Sequence, residues 1–350
     1  MEAKDRSGTP GPAPRPRRRT DELLRRARRA ETRPELPDPE ELAGLLLRAS
    51  EIQASFDPGI RPRKDSGAPG GLILVPEDLP VLVLPDLHTR AGLLRRALTW
   101  RPPEGSRSIL ELLDDGGVFL LLLGDLFHSE DPEAPARWER AYREARTGFR
   151  TRAAMDEEMA RALSALEILL RILTRAPGRV ACLKGNHDNS RNREGGGDHG
   201  FYKFADEGAQ CAAWLESFAP PEVRDALVSF EESLPLAARG HRFAASHAEP
   251  AFSLAEEDII RASPEVVEAL TWTANGQARP GSVRDTLAAL LGPGAVESGA
   301  RWISGHRPVQ GRYALRAEGL LVQIHAPFRF QGAWVRPDRP LDPETDILDL

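Results

Sequence analysis

The chain of 350 residues is 41% hydrophobic and 29% charged, with a formal net charge of −6 at pH 7. This composition is typical of a soluble globular protein that can bury a substantial core in one large domain or two small ones. The acidic balance gives no global attraction for nucleic acid, so nucleic acid is not the favoured partner, although a local basic surface stays open.

Cysteine content and hydropathy narrow the class of protein further. Cys182 and Cys211 are the only two cysteines, which excludes a disulfide scaffold and a thiolate metal site. The longest apolar run, residues 118–123, has six residues, whereas a bilayer crossing needs about 20. The N-terminus also has no apolar segment of the signal-peptide type. We therefore expect a cytoplasmic protein without membrane insertion.

The N-terminal segment is basic and rich in proline, a composition that predicts a disordered arm over residues 1–37 without a functional site. Asp38 then offers a helix cap, Pro39 suits the first turn, and Glu41 lies three residues beyond the cap. This pattern predicts a short helix to about Ile52, followed by a linker rich in proline and glycine. We expect four segments in chain order, an arm, a helix with its linker, one large domain and a tail: 1–37, 38–75, 76–335 and 336–350.

Five apolar runs in the large domain are each followed by side chains of the types that bind metal ions. We interpret the runs as buried strands, and they cover residues 81–84, 118–123, 180–183, 243–245 and 302–303. The polar residues that follow them are Asp86 and His88, Asp125, Asn186 with His187 and Asp188, His247, and His306. We therefore expect carboxylate, amide and imidazole groups to gather at one edge of a sheet.

An amphipathic helix is predicted between the second and third runs. Its apolar residues recur at spacings of three and four, as on the face of a helix that covers a sheet, at Met159, Leu163, Leu166, Leu169, Leu170 and Leu173. Residues 129–155 ahead of this helix are polar and contain Trp138, Tyr142 and Phe149. They fit a cap over the site and a peripheral helical insertion equally well.

These residue types suit a pair of divalent cations, which neutralise a phosphate ester, activate water and align the nucleophile with the leaving group. Asp125, at a strand end after the flexible Gly124, is the candidate for a carboxylate that both ions share. Asp86 and His88 project to the same side of an extended segment and can bind one ion together with Asp125. Oxygen and nitrogen ligands suit manganese, iron or zinc, and we expect manganese in vitro. The second ion takes Asp125, Asn186, His247 and His306.

The ordered set resembles the motifs of the calcineurin-like binuclear metallophosphoesterases over residues 81–327, and the phosphoprotein-phosphatase-like members most of all. That resemblance implies an α/β fold, a four-layer αββα sandwich of two mixed β-sheets flanked by helices, and hydrolysis by a metal-bound hydroxide. It also implies that His187 is the general acid for the departing oxygen, a role that needs a pKa near the working pH. Asp188 then orients the turn, and His128 contacts the substrate or the transition state.

The chain departs from the resembled motifs at two places. Ser129 and Glu130 follow His128, where phosphoprotein phosphatases carry Asp followed by Arg-Gly, so an arginine that binds phosphate is missing. Pro308 stands two residues after His306, where many phosphodiesterases of the family carry a second histidine. Proline cannot bind a metal ion, so the first ion is left with three protein ligands.

Arginine often binds phosphate because its planar group meets two oxygens at once. The substrate-binding candidates are Arg90, Arg191, which follows the third motif, and Arg307, which adjoins the fifth. His325 ends the next apolar run. We expect it to be a core histidine or to lie behind the metal ligands.

We predict a metal-dependent hydrolase of phosphate monoesters, acting on a phosphorylated protein or small molecule, because the segments around the third and fourth motifs resemble those of phosphatases. Residues 124–128, Gly-Asp-Leu-Phe-His, resemble phosphodiesterases and repair nucleases instead. A phosphodiesterase or nuclease is therefore the alternative. A protein-binding scaffold without catalysis is a third hypothesis, which the intact ligand set and His187 disfavour.

Overall fold

The computed structural model describes residues 16–350, with side chains from residue 22 onward. Eleven strands in this part of the chain form two sheets. A six-stranded sheet has the order β1-β5-β6-β7-β9-β8, and a five-stranded sheet has the order β11-β10-β2-β3-β4. The strands are β1 Leu72–Leu74, β2 Val81–Leu84, β3 Phe119–Leu122, β4 Val180–Cys182, β5 Ala237–Arg239, β6 Phe243–Ser246, β7 Arg301–Ser304, β8 Ala314–Arg316, β9 Leu321–Gln323, β10 Gln331–Val335 and β11 Ile347–Asp349.

Twelve α-helices lie between and around these strands in the described residues. They are α1 Pro16–Thr32, α2 Pro39–Ala54, α3 Ala91–Thr99, α4 Ile109–Asp114, α5 Ala134–Arg146, α6 Ala153–Arg175, α7 Glu207–Phe218, α8 Pro221–Ser233, α9 Glu256–Arg261, α10 Pro264–Thr271, α11 Ser282–Leu291 and α12 Pro343–Asp346, with a 3₁₀ turn at Ala317–Gly319. Within residues 16–350, none of them combines the length and apolar character that a bilayer crossing requires.

Side chains that alternate between the two faces of the strands divide the core into three apolar layers. Val83 and Leu121 face the space between the two sheets, while Leu82 and Leu120 face the helices that cover the five-stranded sheet. Trp302 of the other sheet packs against the helices on its own outer side. Neighbouring residues of a strand point to opposite faces of the sheet, and both sets are apolar here. Both faces of each sheet must therefore be covered. The predicted four-layer αββα fold is confirmed.

Each sheet contains three parallel strands in a row, which fixes where polar side chains can converge. Strands β2, β3 and β4 pair in parallel, and so do β6, β7 and β9. Parallel strands bring their carboxyl ends to the same edge. The five runs predicted from the sequence are these strands β2, β3, β4, β6 and β7, and the predicted amphipathic helix lies within α6.

The helix predicted from Asp38 is also present as α2. The Asp38 carboxylate accepts a hydrogen bond from the Glu41 backbone N–H at 2.9 Å, which is the expected cap, and the helix extends to Ala54. Residues 129–155 are neither only a cap over the site nor only a peripheral helical insertion. Helix α5 packs against α6 and α7, but its Trp138 lies against the predicted site through the ring of His128.

The prediction of a disordered arm over residues 1–37 is wrong for the part that the structure describes. Helix α1 packs against α3 and α6, with Leu23 and Ala27 buried and Arg26 paired with Glu167 at 3.0 Å. Leu23 and Ala27 lie four residues apart and form a narrow apolar stripe among arginines, which composition alone conceals. Residues 1–15 of the predicted arm lie outside the described residues.

The C-terminal segment, predicted as a tail over 336–350, belongs to the five-stranded sheet. Strand β11 pairs antiparallel with β10 and sets Ile347 opposite Ala333. Ile347 is fully buried between the sheets. Residues 347–349 are too few to show the two-residue hydrophobic period of a strand, so the sequence does not identify them as one. Their pairing with β10 does.

If α1 is part of the folded core, truncating its buried leucine must destabilise the protein. We expect Leu23→Ala to lower the free energy of unfolding by about 2 to 3 kcal/mol, measured by urea denaturation. Arg28→Ala, on the exposed face of the same helix, is the matched control and should change it by less than about 0.5 kcal/mol. Equal stability of Leu23→Ala and the wild type would show that α1 does not contribute to the core.

Candidate metal centre

The predicted ligands come together where the parallel strands end. His247 follows β6 and His306 follows β7, while Asn186 comes from the turn after β4 in the other sheet. Asn186 Oδ1 lies 2.9 Å from His247 Nε2 and 3.0 Å from His306 Nδ1, and the two ring nitrogens are 3.2 Å apart. Ligand atoms that share an ion at about 2.1 Å are about 3 Å apart when they meet at right angles. This trio therefore fits one divalent ion.

The hydrogen bonds of His247 show that this trio presents lone pairs. His247 Nδ1 lies 2.8 Å from the carbonyl oxygen of Leu123, and a carbonyl only accepts, so Nδ1 carries the proton. Burial lowers the pKa of His247 and keeps the ring neutral. Nε2 then presents a lone pair to the amide oxygen of Asn186, which also has no proton to offer. A cation between them would turn this repulsion into attraction.

A second group of donors surrounds His88. Its Nδ1 lies 2.9 Å from the carbonyl oxygen of His128, which leaves a lone pair on Nε2. That Nε2 is 3.8 Å from Asp86 Oδ2 and 3.4 Å from Asp125 Oδ2. Burial, the largest cause, lowers the pKa of His88 to about 3, so the ring is neutral. Two atoms that share an ion at about 2.1 Å can be up to about 4.2 Å apart, and these distances fit.

Asp125 stands between the two groups. The same oxygen, Oδ2, is 3.4 Å from His88 Nε2 and 3.5 Å from His247 Nε2, while Oδ1 accepts a hydrogen bond from the His187 backbone N–H at 2.9 Å. Burial and the neighbouring carboxylates of Asp86 and Asp188 raise the pKa of Asp125 well above its ordinary value. A carboxylate in this position needs nearby positive charge in order to ionise.

The turns that carry these side chains have unusual backbone geometry. His88, Asp125, His128 and His306 all have positive φ, between 41° and 73°, which costs free energy for residues other than glycine. Gly305 must lack a side chain, because a Cβ there would overlap the carboxylate of Asp86. Three of the six predicted metal ligands, His88, Asp125 and His306, thus have strained backbone conformations, which are common at functional sites.

Asp188 connects the third motif to the second through hydrogen bonds. Its carboxylate accepts hydrogen bonds from the backbone N–H groups of Leu126 at 2.8 Å, Gly185 at 2.7 Å and Asp125 at 3.1 Å. Burial raises the pKa of Asp188, and the N–H donors oppose that shift. Asp188 therefore positions two ligand-bearing turns and contacts neither ring of the ligand trio.

His187 and His128 form an aromatic wall beside the ligands. The His187 ring stacks on Phe201, with centroids 4.5 Å apart, and meets His128 edge to face at 4.9 Å. His128 lies between Trp138 and Phe204. Burial, the largest cause, holds the pKa of His187 well below its ordinary value, so the ring is neutral before an anion approaches.

The three arginine candidates have different surroundings. Arg90 is bonded to backbone carbonyls, including Ala326 at 3.2 Å and Arg329 at 3.0 Å, so the structure does not support its predicted substrate role. Arg191 pairs with Asp225 on α8 at 2.6 Å and has no described contact with a ligand. Arg307 is exposed and close enough to lower the pKa of His306.

Sequence reasoning gave no site role to Glu130, Lys203 or Glu207, and it expected His325 only in the core or behind the metal ligands. His325 Nε2 lies 2.8 Å from Glu130 Oε2, and Glu130 also contacts Lys203. Burial opposes charge on Glu130, but the hydrogen bond with His325 and the positive charge of Lys203 hold its pKa below the ordinary value. Glu207 accepts hydrogen bonds from the backbone N–H groups of residues 203–205, including Lys203 at 2.8 Å. His325 follows an apolar run as the predicted ligands do, and that signal could have included it among the candidate site residues.

Asp188 offers a direct test of how the turns are held. In Asp188→Asn one acceptor oxygen becomes an NH₂ donor that faces a backbone N–H, so we expect unfolding of the metal-free protein to require about 2 kcal/mol less. Urea denaturation with a chelator present measures this. Asp225→Asn, which removes an exposed ion pair, should cost less than about 0.5 kcal/mol. A similar effect of both substitutions would contradict the role of Asp188.

Comparison with known proteins identifies similar solved structures and a matching protein family. The chain is similar to a protein serine/threonine phosphatase from Saccharomyces cerevisiae, at 12% identity over 83% of this chain and 77% of that one, with a TM-score of 0.48. It is also similar to a cold-active protein tyrosine phosphatase, at 14% identity over 79% and 74% with a TM-score of 0.39, and to one from Shewanella, at 15% identity over 72% of each chain with a TM-score of 0.36. A comparison with curated proteins finds no match.

A sequence model of calcineurin-like phosphoesterases matches residues 79–310, which is about two thirds of the chain and includes every strand end that carries a predicted ligand. The resemblance inferred from the motifs is therefore confirmed at the level of the family. The clusters of buried histidine and aspartate in the described residues can hold metal ions. The chain belongs to the calcineurin-like phosphoesterase family, and it is a metal-dependent hydrolase of phosphoric esters.

Proposed function

We propose that the protein is a phosphatase that hydrolyses phosphate monoesters at two divalent ions. The observation that carries this proposal is the position of Asp125 Oδ2, which lies within 3.5 Å of one neutral imidazole nitrogen in each donor group. One carboxylate oxygen placed between two sets of lone pairs suits two ions a few ångströms apart. A phosphorylated protein or small molecule is the substrate that follows.

The donor groups divide the ligands between two positions. Asp86, His88 and Asp125 hold the first ion, and Asp125, Asn186, His247 and His306 hold the second. When bound, the ions supply positive charge for the phosphate oxygens and activate water. Manganese in vitro, and a location in the cytoplasm, stay predictions from the sequence.

His187 is the candidate general acid. Its ring lies at the ligand cluster, with its backbone N–H bonded to Asp125, and is 8% exposed. The ring is neutral beforehand, so the role requires a negatively charged phosphate next to it to raise its pKa. Stacking on Phe201 fixes the plane of the ring, and the buried neighbour His128 limits access of water.

Enclosure of the site supports a monoester over a diester. Five of the six proposed ligands are buried, and His306 is partly exposed. Trp138 and Phe204 close the side at His128. A terminal phosphate can enter a narrow opening with its one substituent outside, whereas a diester needs room on both sides. Arg307, exposed beside His306, remains the one arginine candidate available for a phosphate oxygen.

A series of three substrates tests the proposal. Manganese-loaded protein should hydrolyse p-nitrophenyl phosphate faster than bis-p-nitrophenyl phosphate and should leave single-stranded DNA intact. Asp125→Asn, which replaces the shared carboxylate with a neutral amide, should lose both the activity and bound metal measured by elemental analysis. Preference for the diester or for DNA would replace our proposal with the phosphodiesterase or nuclease alternative. Inactivity on all three substrates would favour the scaffold.

His187→Ala should separate proton transfer from metal binding. We expect the variant to retain its metal content and to lose roughly 10²-fold or more in kcat for an alkyl phosphate, whose leaving group needs a proton. The loss should be smaller for p-nitrophenyl phosphate, because nitrophenolate leaves readily without one. An equal loss for both substrates would assign His187 to another task.

A further inference from the structure

His325 lies at the same edge of the six-stranded sheet as two proposed ligands of the second ion. Strand β9 runs parallel to β7, with Gln323 opposite Ser304, and β7 runs parallel to β6, with Ser304 opposite Ser246. The residues that follow these three strands therefore lie side by side at one edge. His247 and His306 follow two of the strands, and His325 follows the third.

The two ring nitrogens of His325 have different surroundings. Nε2 lies 2.8 Å from Glu130 Oε2, and a carboxylate accepts, so Nε2 carries the proton. Nδ1 then presents a lone pair, is fully buried, and has no hydrogen-bond partner among the described residues. It lies 3.6 Å from Asp86 Oδ2, which is too far for a hydrogen bond but within the separation of two ligands on one ion.

Other atoms of the first donor group point to the same place. The His325 and His88 ring centroids are 5.1 Å apart, and one ligand atom each from Asp86, His88 and His325 lie within 4.8 Å of one another. Asp86 Oδ1 is also buried without a hydrogen-bond partner. These unsatisfied acceptors surround the first ion that the proposed function requires, and its other ligands number only three.

We propose that His325 is the fourth protein ligand of the first ion, through Nδ1, and that Glu130 is the positioning residue that fixes its tautomer. This inference rests on the proposed function. It supplies from β9 a nitrogen that Pro308, two residues after His306, cannot provide. A carboxylate bonded to the far nitrogen of a ligating histidine orients the ring and increases its basicity, and Lys203 balances the charge of Glu130.

Metal affinity is the direct readout. Titration of the metal-free full-length protein with Mn²⁺ in a calorimeter should show two ions for the wild type. In His325→Ala one ion should bind as before and the other at least 10- to 100-fold more weakly, and Glu130→Gln should weaken the same ion by about 10- to 100-fold. His241→Ala, in which an exposed histidine is removed, should bind both ions like the wild type.

Combining the substitutions distinguishes positioning from general damage. If Glu130 acts through His325, adding Glu130→Gln to His325→Ala should cause no further loss of affinity for the first ion. Full additivity of the two effects would overturn the role of Glu130. Wild-type affinity for both ions in His325→Ala would overturn the ligand assignment and leave the proposed function intact. A wild-type protein that binds no ion would overturn both.

A second variant tests the assignment if His325→Ala folds poorly, because it should gain an absorption band. A thiolate that binds Co²⁺ gives an intense absorption band in the near ultraviolet, so His325→Cys loaded with Co²⁺ should show that band. His241→Cys should not show it, and both native cysteines are buried and form no part of the donor groups. A His325→Cys protein that binds both cobalt ions without the band would contradict the assignment.

Discussion

The structure around the strand ends depends on one electrostatic constraint, namely that two buried, neutral imidazoles turn their nitrogen lone pairs toward the same carboxylate oxygen. His88 and His247 each give their Nδ1 proton to a backbone carbonyl and are kept neutral by burial. Their free nitrogens point at Asp125 Oδ2 from two sides. In a low dielectric this arrangement is unfavourable unless positive charge lies between the groups. The site is therefore built for cations before any substrate binds.

The fold meets that constraint by placing the ligands on short turns after buried strands. The turns at His88, Asp125 and His306 adopt positive φ, and Asp188 bonds two turns together through three N–H groups. Such strain persists only where the surroundings fix the backbone firmly. The two sheets and the helices outside them supply that rigidity, so each ligand has little freedom left to lose when an ion binds.

The aromatic wall formed by His187 and His128 is held by contacts with two further segments of the chain. His128 lies between Trp138 of α5 and Phe204 of the segment that Glu207 holds. Lys203 from that segment reaches Glu130, which contacts His325. The Glu130 carboxylate thus connects this segment to the first donor group, in addition to the direct contact between His88 and the His128 carbonyl. A change in this segment can therefore alter the first donor group without touching Asp86, His88 or Asp125 directly.

Sequence and structure contributed different parts of this account. The sequence alone determined the order of the strands that carry ligands, the αββα class, the family, and the residues gathered at the edge, because an apolar run followed by Asp, Asn or His is a local signal. It placed α1 in a disordered arm and β11 in a tail, because Leu23, Ala27 and Ile347 show their burial only against distant partners.

Tertiary structure decided the surroundings of polar residues that lie near the motifs in the sequence. The sequence favoured Arg90 as a substrate-binding residue and His325 as a residue of the core or behind the metal ligands. In the structure Arg90 is bonded to backbone carbonyls, whereas Nδ1 of His325 has no hydrogen-bond partner among the described residues and lies 3.6 Å from Asp86. The difference arises from the pairing of β9 with β7 and from Glu130, 195 residues away from His325. No local pattern records a contact over that separation, because only the packing of two sheets brings the partners together.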